Sequence, residues 1–121
     1  MKHILFIFLD GVGLGAPDMA TNPLAGADIP VLTGLLGGRK PLAGVPRLES
    51  ERALFIPTDA GLGVAGLPQS ATGQATILTG RNVPREIGQH WGPKPNAAVA
   101  AIVRQGSVFS RLSARGLRAG K

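Results

Sequence analysis

Two positions in this 121-residue chain combine residue type and surroundings in a way that could do chemistry, Asp10 and Ser70. Asp10 closes the apolar run His3-Ile-Leu-Phe-Ile-Phe-Leu9 and opens the glycine-rich stretch Gly11-Val-Gly-Leu-Gly15. A carboxylate at a strand end, with glycines leaving room around it, suits a hard or borderline divalent cation. The same aspartate also suits an ordinary turn. Ser70 heads Ser-Ala-Thr-Gly-Gln-Ala-Thr-Ile-Leu78, where Ala71, Ala75 and Leu78 recur at helical spacing. A helix N-terminus carries unpaired amides and partial positive charge, which favour both an ionised serine and its phosphorylated form. Serine is also among the best N-caps, so a capping role stands beside the nucleophilic one. His90, in Gly88-Gln-His-Trp-Gly-Pro93, is a loop histidine able to contact a substrate or simply to make a surface hydrogen bond.

Other chemistries find less support. The chain has no cysteine, which removes disulfides, thiolate-bound zinc and thiol nucleophiles, so that a metal would need oxygen and nitrogen ligands. With only His3 and His90, and no Gly-x-Ser-x-Gly, a serine hydrolase triad has no base in the expected place. Gly11, Gly13 and Gly15 invite a dinucleotide-binding reading with Ala16 in the last motif position. That motif must open a helix, and residues 17–22 are poor helix formers.

These residues need elements to hold them. The run from His3 to Leu9 is β-branched and aromatic without alternation, the pattern of a strand buried on both faces of a helix-covered sheet. Asp10 would then sit at the carboxyl end of the first strand, where open α/β sheets place ligands. A short helix is expected over residues 28–36, with Asp28 as cap, Pro30 in the first turn and Gly37-Gly38 as stop. Residues 39–52 read as loop or edge strand, and Ala53-Leu-Phe-Ile-Pro57 as a second strand. A helix is expected from Ser70. Residues 81–95 hold three prolines and read as an extended loop. Two further helices follow, one capped by Asn96 and stopped by Gly106, the other capped by Ser107 and ended before Gly116. Two strands and a few helices cannot make a well-covered parallel sheet, so a truncated chain is expected, a single partial domain over residues 1–121.

Net charge is +6 and unevenly placed. Residues 81–121 carry eight basic residues against Glu86 alone, whereas residues 1–80 are nearly balanced. A basic half raises nucleic acid as a partner, but aromatics are only 4%, too few for stacking along a strand, and helix faces exposed to solvent account for the arginines. The apolar stretch Ile4–Leu9 is far short of the about 20 residues a membrane span needs. A soluble, cytoplasmic protein with no membrane partner is expected.

Taken together, Ile7-Phe-Leu-Asp-Gly-Val-Gly13 resembles the opening strand and metal-binding Asp-Gly of cofactor-independent phosphoglycerate mutases and other members of the alkaline phosphatase superfamily. Gly66-Leu-Pro68, Ser70, Gly73, Ile77 and Gly80-Arg81 resemble the mutase segment that carries the nucleophilic serine. The resemblance implies the N-terminal part of a three-layer α/β/α fold with a mostly parallel sheet. It implies Asp10 as a metal ligand and Ser70 as both nucleophile and ligand, with divalent Zn2+ or Mn2+, or Mg2+, as cofactor and no nucleotide cofactor. The activity implied is metal-dependent phosphoryl transfer of phosphatase, phosphomutase or phosphodiesterase type on a phosphorylated small molecule, with His90 as a possible substrate contact. Gln74 replaces a histidine usual in the mutases, and there is no room for their inserted domain. Because the family draws its remaining ligands from a C-terminal half, this chain by itself is expected to be inactive and to need that half as partner. The alternative is a non-catalytic module whose basic half docks on a partner chain or an anionic ligand.

Overall fold

The computed structural model describes residues 3–120. It corrects the expected fold class: among the described residues the architecture is mostly helical, with a single two-stranded antiparallel sheet in place of a three-layer α/β/α fold with a parallel sheet. The chain divides into two compact units, one ending at Thr58 and one beginning at Asp59.

In the first unit the run from His3 to Leu9 enters no strand, and its side chains are exposed, Ile4 at 96%. The physical reason is that a strand cannot satisfy its own backbone, and no neighbouring strand among the described residues pairs with it. Helix α1 (Pro23–Gly26) begins on Asn22, whose Oδ1 accepts from the Leu24 amide at 3.2 Å while its Nδ2 donates to the Ala16 carbonyl at 2.8 Å. Helix α2 (Pro30–Leu35) starts with proline at its first position and stops at Gly37 and Gly38, as expected. Its cap position belongs to Ile29 rather than to Asp28. Strands β1 (Leu48–Glu49) and β2 (Leu54–Phe55) pair Leu48 with Phe55 and Glu49 with Leu54. The Ser50 hydroxyl accepts from the Ala53 amide across the turn.

The second unit is built of helices. Helix α3 (Ser70–Thr79) starts at the serine as expected and ends on Gly80 in the left-handed region. Helix α4 (Val83–Ile87) corrects the expected loop. Pro84 lies in the first turn, where its missing N–H costs nothing, Asn82 caps the Arg85 amide at 3.1 Å, and Gly88 ends the helix at φ +81°. Helix α5 (Ala97–Arg104) is capped by the Asn96 side chain on the Val99 amide at 2.9 Å. Helix α6 (Val108–Ala114) begins with a reciprocal capping box between Ser107 and Ser110. Ala75, Val83, Val99 and Ile102 form the core where α3, α4 and α5 meet, flanked by Ile87 and Val103. No helix among the described residues is long and apolar enough to cross a membrane.

Candidate active site

Asp10 lies in the first unit, at the start of a turn in which Gly11 takes φ +70°. It does not follow a strand, so the strand-end setting expected for it is not formed. The glycines after it have separate explanations. Gly11 supplies the left-handed turn residue. A Cβ on Gly15 would stand 2.8 Å from Asn22 Nδ2, so this glycine makes room for the side chain that clamps the loop. Asp18 organises the same loop by accepting from the Ala20 amide at 2.9 Å and the Thr21 hydroxyl at 2.8 Å. Those two bonds hold its carboxyl below the ordinary aspartate value. Among the described residues no three histidine, aspartate or glutamate side chains gather as a metal centre would require.

Ser70 lies in the second unit as the first residue of α3. The cap position is occupied by Gln69, whose side chain makes no capping bond. Ser70 is therefore one residue further into the helix than a capping serine would be. The first turn is held from outside by the segment that follows α4. The Thr72 amide donates to the Trp91 carbonyl at 3.0 Å, and the Trp91 amide donates back to the Thr72 hydroxyl at 3.2 Å. Thr72 is fully buried and has no route to water, so this exchange satisfies both groups and fixes two segments nineteen residues apart. Gly92 lies close against the same turn. A Cβ there would come within 3.1 Å of the Ser70 amide nitrogen and 3.0 Å of Gln69 Oε1, so a larger residue would require the helix start or the loop to give by a few tenths of an ångström.

His90 is half-buried in this loop, its Nε2 3.3 Å from the Val64 carbonyl. It lines a shallow cleft of about 430 Å³ together with Leu67, Gln69, Gln89, Trp91 and Gly92 among others. The second unit thus joins Ser70 and His90 through one loop and one helix start, an arrangement made of its own residues. Comparison of the chain with family models, with curated proteins and with solved structures finds no match.

Sequence reasoning singled out Ser70 and His90 but missed Thr72, Trp91 and Gly92, which hold the two together. Their only local signal is Gly92-Pro93 after an aromatic residue, and the partner on α3 is too distant in sequence to be read from it. Of the basic residues in the C-terminal half, Arg104 and Arg111 lie exposed on helices as expected, whereas Arg115 and Arg118 are exposed beyond the end of α6. Arg81 is engaged in the fold. It binds both oxygens of Glu86, donating through Nε at 2.8 Å, and donates to Gln105 through Nη1 at 2.6 Å. The pairing raises the Arg81 pKa and lowers that of Glu86.

Proposed function

We propose that this chain carries the nucleophile of a phosphoryl-transfer site, with Ser70 as the attacking residue. The observation behind the reading is that Ser70 stands in the first turn of a ten-residue helix whose cap position another residue fills. The helix end carries a positive potential equivalent to roughly half an elementary charge. That potential favours the alkoxide over the hydroxyl and the phosphoserine over the free serine. In the step itself the Ser70 oxygen forms a bond to phosphorus, the bond from phosphorus to the leaving oxygen breaks, the serine proton departs to solvent, and the leaving group takes up a proton. The Thr72–Trp91 exchange keeps the helix start from fraying, which holds the oxygen in place without reorganisation.

A divalent ion of the Zn2+ or Mn2+ type would neutralise charge on the phosphoryl oxygens, with the Ser70 oxygen as one donor and further ligands required. Whether the enzyme is a phosphatase, phosphomutase or phosphodiesterase depends on what accepts the phosphoryl group from Ser70. Incubation with an activated phosphate ester and Mn2+ should give slow, single-turnover phosphorylation of Ser70, read by mass spectrometry of the intact chain and its peptides. Ser70→Ala should abolish it. Phosphate on another residue, or none on Ser70, would sink the reading.

A further inference from the structure

We infer that the cleft beside Ser70 receives the leaving alcohol of the ester, and that this alcohol carries a neutral, flat heteroaromatic ring of nucleobase type. The term leaving group rests on the phosphoryl-transfer reading; the ring rests on the cleft alone. The cleft runs to Gln69 and Gly92, the two residues that border the Ser70 amide, so a group seated there is next to the nucleophile's helix turn. Its lining contains no lysine, arginine, aspartate or glutamate. His90 is the only ionisable side chain in the lining, so an ester with a carboxylate or second phosphate on the leaving group would find no fixed countercharge in it, while a neutral group would leave no charge unpaired.

What the cleft offers instead is an aromatic face and amides. Trp91 is the only tryptophan in the chain, and the residue is 38% exposed. The ring is not loose. Its Nε1 donates to the Lys94 carbonyl at 3.0 Å, and its backbone is tied on both sides of the peptide to Thr72. An indole fixed at both ends and left open is a stacking platform whose ordering cost is already met by the fold. Leu67, 80% exposed, adds a second apolar surface. Gln69 and Gln89 each carry a donor and an acceptor, the pairing that the edge of a heterocycle presents. Stacking on a lone aromatic tolerates any such ring, and the amides select rings with polar edges.

Because the chain has no tyrosine, its emission comes from Trp91 alone, and binding can be read without turnover. Titration of the full chain with adenosine should quench that emission saturably, whereas glycerol 2-phosphate and inorganic phosphate should not. Leu67→Asp, at a side chain too exposed to affect folding, should weaken adenosine binding roughly tenfold by placing a charge against the ring. Ser70→Ala should bind adenosine like the parent chain. Absence of quenching at millimolar adenosine, equal quenching by glycerol 2-phosphate, or unchanged affinity in Leu67→Asp would each overturn the inference. Adenosine binding without phosphoserine formation would retain the cleft and remove the phosphoryl-transfer reading. Phosphoserine formed equally well from glycerol 2-phosphate and from a nucleoside phosphate would do the reverse.

Discussion

The run from His3 to Leu9 and helix α5 are similarly apolar, and the protein treats them in opposite ways. Ile4 and Leu5 are 96% and 83% exposed, while Val99 of α5 is fully buried and Ile102 nearly so. The difference lies in where each segment finds its hydrogen bonds. Helix α5 closes its ladder within itself, takes its cap from the adjacent Asn96, and has only to lay one face on α3 and α4. An apolar extended segment must borrow both hydrogen bonds and cover from distant chain. Apolar content therefore sets how much a segment has to gain by burial, and the range of its hydrogen bonds decides whether it can collect that gain.

The sharpest way to break this contrast is to place a charge in each segment. Val99→Asp puts a carboxylate into the closed cluster of Ala75, Val83 and Ile102, where it has neither water nor a cation. It should cost about 4 kcal/mol or more and unfold the helical unit, read as loss of the urea transition followed by helical circular dichroism. Leu5→Asp should change the same transition by less than about 0.5 kcal/mol, as expected of an exposed position. A large cost at Leu5 would show that residues 3–9 are covered in solution, and the contrast would fail.

A smaller effect tests the long-range tie between Thr72 and Trp91 beside the candidate site. Thr72→Val keeps the shape but leaves the Trp91 amide without its acceptor, which should cost about 1–3 kcal/mol. Thr72→Ser should recover most of it. The shift should be accompanied by a change in Trp91 emission, because the loop that carries the indole is released. Unchanged emission in the valine variant would mean that the loop is held by something other than Thr72.

The elements legible in the sequence were those whose signals are local. Asn96, Ser107 and the stops at Gly37, Gly106 and Gly116 bounded helices correctly, since a cap acts within three or four residues. Helix α4 was missed because its proline reads as a breaker unless the cap two residues earlier, Asn82, is recognised first. The first strand failed for the opposite reason: its pattern was clear, but pairing is non-local and no residue within it specifies a partner. Ser70 was legible as a helix start. The cleft beside it was not, because Thr72, Trp91 and Gly92 acquire their roles only when nineteen residues of chain return to the same turn.

The smallest expected effect concerns the surface of the same helical unit and comes from its ion pair. Glu86 accepts from the Arg81 guanidinium, so its pKa is lower in the folded chain than in the unfolded one. A depressed carboxylate contributes stability that is present above the unfolded value, about 4.3 for glutamate, and is lost as pH falls through the folded value. Both side chains are partly exposed, at 38% and 36%, and solvent screens the pair. The parent chain should therefore melt slightly above Glu86→Gln at pH 7, and the two melting temperatures should converge as pH is lowered from 5 to 3. Added salt at pH 7 should narrow the gap as well, because an exposed pair is screened within a Debye length of about 8 Å at physiological ionic strength. A gap that stayed constant with pH would assign the role of Glu86 to packing beside Arg81 rather than to its charge.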